Sequence, residues 1–233
     1  MSADPNYVEA RPAQTATSNL TEITGIASLL VAANILLMLV MSYTPAVALG
    51  RVLFSNFFFA IGTFVLTVGG GYWLASRGVE NGSMPLAGAG VTLTQLGYGL
   101  FGATVLAFAS SSLRVPALAI TTVVTALITA VITVVVFKTD HSFERWQLYS
   151  GGLFITGIVL GAIGAFAASS LLVVAGVCFF LGFVTDLTYE IWAVKTSAYA
   201  SPLLNAIGIY VAVMGVFIHV LQWVLRVLEM LDL

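Results

Sequence analysis

The feature that most constrains this chain is a series of apolar runs, each about as long as a membrane-spanning helix. The run at 115–137, VPALAITTVVTALITAVITVVVF, contains no charged residue. An α-helix rises ~1.5 Å per residue, so about 20 apolar residues cross the ~30 Å hydrocarbon core of a bilayer. Only 8% of the 233 residues are charged, whereas soluble domains average about 25%. The sequence therefore predicts a protein that folds in lipid.

Prolines and charged residues mark where the apolar runs end. All six prolines lie in the N-terminal region or at the edges of runs, as expected for helices, because an interior proline removes a backbone hydrogen bond that lipid cannot replace. We expect an all-α membrane protein in which 23–233 form a single domain and the polar segment 1–22 is a disordered tail. The domain is predicted to be a bundle of seven transmembrane helices, at about 23–42, 53–75, 86–110, 116–137, 149–168, 170–193 and 203–228.

The distribution of lysine and arginine predicts the orientation of the bundle. With seven spans, the N-terminal side collects more basic residues than the opposite side, and such residues are enriched in cytoplasmic connections. The two groups are Arg11, Arg77, Lys138, Arg145 and Lys195 against Arg51, Arg114 and Arg226. The polar N-terminus also lacks the basic segment of a cleavable signal. We therefore expect a multi-pass protein of the plasma membrane whose N-terminus is cytoplasmic.

The composition disfavours several classes of function. A formal net charge of -2 gives no electrostatic basis for binding nucleic acid. The two histidines and the single cysteine lack the spacing of a metal site, and no nucleophile-elbow, zincin or phosphate-loop motif occurs. We therefore expect no enzyme activity, no catalytic residue, no bound metal and no cofactor. The partner that the composition does imply is the lipid bilayer.

Glycines recur on one face of the fifth predicted span. Gly157, Gly161 and Gly164, in GIVLGAIG, are spaced to form one helical stripe. In lipid, small residues allow helices to approach closely, and this contact drives their association. We interpret the stripe as a packing surface within the bundle. Contact with a second copy or with another membrane protein is the alternative.

The sixth predicted span carries two acidic residues, Asp186 and Glu190, in LGFVTDLTYEIWAVK. A carboxylate near the bilayer centre costs at least about 2.5 kcal/mol on insertion scales. Asp186 is expected about 6 Å past the midplane, with Glu190 one turn further out on the same face. That face must point into the bundle or into water. A structural, hydrogen-bonded aspartate and a solvated glutamate at the end of the span are the alternatives to an ion pathway.

Other polar residues inside spans are secondary candidates. His219 and Gln222 share one face of the last span. His219 is expected on the opposite side of the midplane from Asp186, out of contact with it. Asn34 and Asn205 are candidates for hydrogen bonds between helices.

Aromatic residues cluster near the ends of the predicted spans. Tyrosine and tryptophan favour the membrane–water interface, because their rings are apolar and their edges are polar. We interpret the pairs Tyr72–Trp73 and Tyr189–Trp192 as parts of interfacial belts.

Three stretches in the second half of the chain carry a resemblance to one family of membrane proteins. The first, at 135–166, is VVFKTDHSFERWQLYSGGLFITGIVLGAIGAF. Its lysine, aspartate, aromatic residue and glycine-rich span resemble those typical of the Bax inhibitor-1 family. The second, FFLGFVTDLTYEIW, is similar to the family's sixth span, which ends in an aspartate whose place Asp186 takes. The third, NAIGIYVAVMGVFIHVLQWVLRVL, resembles the last span. The first three predicted spans are similar to the family only in hydropathy and number.

The resemblance implies a seven-helix bundle that acts as a pH-sensitive calcium leak. In that family a pair of aspartates, one on each of the last two spans, shares a proton and closes the pore. The position that corresponds to the second aspartate is Ala212, at the depth expected for Asp186. The implied pair is therefore incomplete in this chain. Either Glu190 takes the place of the second aspartate, or the pore is gated in a different way, or this branch of the family has lost the gating.

Three functions remain open from the sequence. The first is a leak for Ca²⁺ or another cation, with Asp186 and Glu190 in the pathway and a permeability that changes between about pH 5 and 8. The second is a non-conducting regulator that binds other membrane proteins through glycine stripes or the polar loop at 138–147. The third is a small-solute transporter, which visible repeats or interrupted helices would favour.

Overall fold

The computed structural model describes residues 12–197 and 201–231, and all regular structure within those ranges is helical. The all-α class predicted from the apolar runs is therefore confirmed. The first helix begins at Pro12, so part of the segment predicted to be a disordered tail is helical. Residues 1–11 lie outside the described residues, and disorder there remains a prediction.

The described residues form nine α-helices and one π-helical segment. Helices α3 and α4 are joined by the π segment without interruption, so Phe57–Glu80 is one continuous helical rod. The short helix α2 lies between α1 and this rod. In chain order the elements are α1 (Pro12–Met41), α2 (Ala46–Leu53), α3 (Phe57–Phe64), the π segment (Val65–Gly69), α4 (Gly70–Glu80), α5 (Met84–Leu106), α6 (Ser111–Lys138), α7 (Trp146–Phe166), α8 (Ser169–Thr196) and α9 (Pro202–Met230).

Local sequence explains where two of the long helices begin. The side-chain oxygen of Asn56 accepts hydrogen bonds from the backbone N–H groups of Phe58 and Phe59, which would otherwise lack partners at the start of α3. At the start of α9, the Ser201 hydroxyl accepts a bond from the backbone three residues further on. Pro202 follows in the first turn, where its missing N–H is not needed.

Close approach between neighbouring helices depends on glycine. In the α4–α5 hairpin, Gly78 lies against the backbone of Ala87. The glycine stripe predicted on the fifth span belongs to α7 and packs within the bundle: Gly157 lies against Phe179 of α8 and Gly161 against Phe57 of α3. Because apolar side chains are already solvated by lipid, such small-residue contacts are a main source of helix association in a membrane.

Helix α9 lies at the centre of the bundle. It packs against α1, α4, α5, α6 and α8, and most of its residues are buried. One side of α9 contributes Tyr210 and Phe217 to a core that also contains Tyr98 of α5. Another side contributes Ala212 to a core with Leu187 of α8. The last span is therefore the element around which the others are arranged.

Six helical stretches within the described residues are long and apolar enough to cross a membrane. Many large apolar side chains are exposed on the outside of the bundle, among them Leu29, Val123 and Phe166, as expected for helices that face acyl chains. These features indicate a multi-pass membrane protein. The six stretches are Asn19–Met41, Phe57–Glu80, Ser111–Lys138, Trp146–Phe166, Ser169–Thr196 and Pro202–Met230.

The predicted count of seven membrane spans is not confirmed. The span predicted at 86–110 corresponds to α5, which is not one of the six apolar stretches. Helix α5 carries Thr92, Thr94 and Gln95 together with several glycines. Much of its surface is buried against α1, α4 and α9. A helix that meets protein rather than lipid on most sides needs fewer apolar residues, which explains its lower hydropathy.

We predict that Gly90→Ala destabilises the protein far more than Gly88→Ala. A methyl group at position 90 would collide with the backbone of Ala75 and Gly71 in α4, whereas one at position 88 meets nothing within 4 Å. Overpacking of this kind costs about 1–3 kcal/mol. Thermal unfolding of the purified protein in detergent measures the difference. Equal melting temperatures for the two variants would contradict the close packing of α4 on α5.

Candidate functional site

Helix α8 directs Asp186 and Glu190 to one face, because residues four apart on a helix lie on the same side. Asp186 faces α7, where the hydroxyl of Ser150 donates a hydrogen bond to Oδ1 at 3.5 Å. Ser150 itself is buried. The acidic face of the sixth predicted span therefore points into the bundle.

Glu190 is the more deeply buried of the two carboxylates, with 5% of its surface exposed. Its carboxylate lies against Gly208 of α9, so closely that a Cβ at position 208 would come within 2.6 Å of the Glu190 Cδ. The Oε2 atom has no hydrogen-bond partner among the described residues. A solvated position at the end of the span, the alternative considered from the sequence, does not match this burial.

Tyrosines of α4 and α5 lie near the carboxylates, and a tyrosine of α9 packs against the one on α5. Tyr72 of α4 lies within electrostatic range of both. Tyr98 of α5 lies within range of Asp186, and its hydroxyl donates a hydrogen bond to the Val211 carbonyl oxygen at 2.9 Å. Tyr210 of α9 contacts Tyr98 edge to face, with ring centroids 6.3 Å apart, and its buried hydroxyl has no partner among the described residues. The two carboxylates and these three tyrosines are called the acidic cluster below.

No lysine or arginine among the described residues forms an ion pair with the acidic cluster. The ion pair that they do form joins Arg77 and Glu80 at 3.7 Å, on the exposed end of α4. Lys195, near the end of α8, donates instead to the carbonyl oxygens of Val136 and Thr139 at 3.0 and 2.7 Å. It thereby caps the C-terminus of α6, where a cation is favoured. The negative charge of the cluster is left without a basic partner.

Ala212 occupies the position at which the family resemblance implies a second aspartate. Helices α8 and α9 are antiparallel, with Glu190 beside Gly208 and Phe183 beside Gly215. Position 212 lies between these two glycines on the same stripe of α9. Ala212 is therefore level with the aspartate of α8, where it presents a methyl group. The second carboxylate of the acidic cluster, Glu190, comes from α8 itself and lies one turn away, beside Gly208.

His219 and Gln222 lie apart from the acidic cluster, further along α9. The Nδ1 atom of His219 is 2.8 Å from the Gly215 carbonyl oxygen. The imidazole ring contacts Phe180 and Phe183, with centroids 6.4 and 5.7 Å away. Both His219 and Gln222 line a cavity of about 510 Å³ between the α3–α4 rod, α5, α7, α8 and α9. Neither Asp186 nor Glu190 lines this cavity.

The two asparagine candidates have different roles. Asn34 is fully buried in α1, and its Nδ2 donates a hydrogen bond to the Gln95 carbonyl oxygen of α5 at 2.9 Å. It therefore joins two helices, as expected from the sequence. Asn205 donates from Nδ2 to the Ser201 carbonyl oxygen at 3.1 Å, a bond within the first turn of α9.

The tyrosines of the acidic cluster were missed from the sequence. Tyr72 and Trp73 together indicate an interfacial belt, yet Trp73 is exposed while Tyr72 turns toward the carboxylates. The sequence does contain an indication that Tyr98 is buried. The glycines on either side of it, Gly97 and Gly99, are positions where other helices approach closely. The positions of these rings depend on how three helices pack, which local sequence does not determine.

The described residues contain no group of three or more histidine, cysteine or acidic side chains that is arranged to hold a metal ion. Two carboxylates with tyrosine hydroxyl groups nearby are suited to transient contact with a cation or a proton. Comparisons of the chain with protein-family models, with curated proteins and with solved structures find no match.

We predict that Gly208→Ala destabilises the protein through its contact with the Glu190 carboxylate. The added methyl group would overlap that carboxylate, at a cost of about 1–3 kcal/mol. In a Glu190→Ala background the overlap is absent, so the same substitution should cost at least about 1 kcal/mol less. Unfolding of all four proteins of this double-mutant cycle measures the coupling. An equal penalty in both backgrounds would show that Glu190 does not lie on Gly208.

Proposed function

We propose that the protein is a Bax inhibitor-1-like integral membrane protein that conducts cations, in particular Ca²⁺, in a pH-sensitive leak. Asp186 and Glu190 form the permeation or gating site. The observation that carries the proposal is the position of two neighbouring carboxylates inside the bundle, Glu190 buried and Asp186 partly buried, without a basic partner among the described residues. A buried, unpaired anion is strongly unfavourable, and binding either a cation or a proton relieves it.

The acidic cluster differs from the pair of aspartates that the family resemblance implies. Its two carboxylates come from one helix and are spaced i, i+4, while the facing position on α9 is Ala212. In this proposal Glu190 supplies the second carboxylate. Protonation of either side chain changes the charge that a passing cation meets, and permeability then depends on pH.

In the proposed leak the bundle has seven membrane spans, and α5 is the third of them. The connections 81–83 and 107–110 on either side of α5 are short. Gln95 of α5 receives the Asn34 side chain of α1, while Gly99 and Gly102 lie against Leu37 and Met38 of the same helix. The residue numbers of these pairs increase in the same direction on both helices, so α5 runs parallel to α1 over several turns. A helix aligned with α1 in this way would cross the same part of the membrane as α1.

With seven spans, the two ends of the chain lie on opposite sides of the membrane. The N-terminal side carries Arg77, Lys138, Arg145 and Lys195, and the opposite side carries Arg51, Arg114 and Arg226. The excess of basic residues supports a cytoplasmic N-terminus in the plasma membrane.

We predict that Asp186→Asn lowers the flux of Ca²⁺ into liposomes by about tenfold or more and weakens its dependence on pH, because one of the two ionisable carboxylates is removed. A tenfold loss corresponds to ~1.4 kcal/mol of attraction for the cation, a modest part of the Coulomb energy of a partly buried charge. Purified protein is reconstituted with a fluorescent Ca²⁺ indicator inside the liposomes, and flux is measured between about pH 5 and 8.

Asp140→Asn is the matched control for that experiment. Asp140 lies in the exposed connection before α7, so its substitution removes the same charge far from the acidic cluster. Flux through this variant should equal that of the unmodified protein. Identical flux through the unmodified protein and Asp186→Asn at every pH would overturn the proposal, as would permeability no greater than that of empty liposomes.

A further inference from the structure

The cavity lined by His219 and Gln222 is predominantly apolar, with seven phenylalanine and tyrosine rings among its lining residues. Its volume, about 510 Å³, is in the range of small-molecule binding sites. Phenylalanines from four elements contribute to its walls: Phe57 and Phe64 of α3, Phe101 of α5, Phe154 of α7, and Phe179 and Phe183 of α8. Such a wall presents both apolar surface and the negative faces of aromatic rings.

The cavity communicates with the bilayer. It is lined by Val65 of the π segment and Ile158 of α7, which are 58% and 37% exposed on the outer surface of the bundle. Because these exposed side chains also line the cavity, an apolar molecule dissolved in the membrane has a lateral route inward. The cavity is therefore suited to ligands that partition into lipid.

The inner end of the cavity lies next to the acidic cluster. Phe154 and Phe183 meet edge to face across α7 and α8, with ring centroids 4.8 Å apart. One turn further along the same two helices, Ser150 donates its hydrogen bond to Asp186. Tyr98 both lines the cavity and lies within electrostatic range of Asp186. The carboxylate thus lies one helical turn beyond a pair of rings that lines the cavity.

The charges around the cavity favour a positive ligand. His219 is the only basic side chain among its lining residues, and its Nδ1 is engaged with the Gly215 carbonyl oxygen. In the neutral tautomer that donates this bond, Nε2 is a hydrogen-bond acceptor. At the other end, Asp186 has no basic partner among the described residues. Aromatic rings backed by an anion stabilise a cation in a site with little water.

We propose that this cavity binds a lipophilic organic cation, with its apolar groups against the phenylalanines and its charge directed toward Asp186. The ligand enters from the bilayer between the π segment and α7. The ring layer of Phe154, Phe183 and Tyr98 contacts the charged centre, and Asp186 lies behind that layer. Binding of this kind requires no ion conduction, so it stands or falls separately from the proposed leak.

Tetraphenylphosphonium is the probe for the experiment, because it is a lipophilic cation without hydrogen-bond donors. Its binding to the detergent-solubilised protein is measured by equilibrium dialysis of the radiolabelled ion. We expect saturable binding to the unmodified protein and a roughly tenfold higher Kd for Asp186→Asn. The charge-matched control, Asp140→Asn in the exposed loop, should bind like the unmodified protein.

A second pair of variants tests the location. Gly176 lines the cavity, and a Cβ there meets nothing within 4 Å, so Gly176→Leu adds volume without displacing the backbone. It should raise the Kd for tetraphenylphosphonium by about tenfold or more. Gly152→Leu, at an exposed position of α7 that also has free space, should leave the Kd unchanged. Melting temperatures confirm that each variant is folded.

Tetraphenylborate has the same shape and the opposite charge, so it separates charge recognition from simple apolar binding. We expect Asp186→Asn to leave its Kd unchanged or lower. Three results would overturn the proposal: no saturable binding of tetraphenylphosphonium, equal weakening of both ions by Asp186→Asn, or no effect of Gly176→Leu. If tetraphenylphosphonium binds but no Ca²⁺ flux is measured, the cavity proposal stands and only the proposed leak is overturned.

Discussion

Close contact between α8 and α9 is the interaction on which both regions of interest depend. In lipid, burying an apolar side chain between helices gains little, because the acyl chains solvate it equally well. Small residues allow backbones to approach, and α9 presents Gly208, Ala212 and Gly215 on one stripe. Gly208 receives the Glu190 carboxylate and Gly215 receives the Phe183 ring. The same stripe therefore positions the acidic cluster and the inner end of the aromatic cavity.

The bundle is divided by this arrangement into two unlike halves. Toward the N-terminal side, the two carboxylates of α8 lie within electrostatic range of tyrosines on α4 and α5. Toward the other side, phenylalanine rings enclose apolar space, with His219 and Gln222 as its polar residues. The Phe154–Phe183 pair forms the boundary. A cation that passes through the bundle must cross this boundary, whereas a lipophilic cation from the bilayer reaches it directly.

Sequence reasoning located the long apolar helices and the acidic face because both follow from local rules. Apolar runs of sufficient length form helices in lipid, and residues four apart share a face wherever the helix lies, so Asp186 and Glu190 were placed together on a face that avoids lipid. The sequence did not indicate that Tyr72 turns inward while Trp73 faces outward, because that depends on the rotation of α4 against its neighbours. The sequence predicted a span at α5 but did not indicate how much of it is buried against other helices. Several of its threonines and glycines, which lower its hydropathy, face its neighbours.

The location of both carboxylates on α8 determines which helix movements can alter the acidic cluster. A pair split between two helices separates when the helices move apart, but an i, i+4 pair keeps its spacing when α9 shifts. The parts of the acidic cluster that can move relative to the pair are the tyrosines on other helices. Tyr72 lies just beyond the π segment, and a π turn holds one residue more than an α turn. Conversion of that segment to a regular α-helix would rotate the following residues by roughly 100°, which carries Tyr72 away from the carboxylates. Control of this site through α4 therefore requires less rearrangement than control through the central helix, whose movement would disrupt every core that it supports.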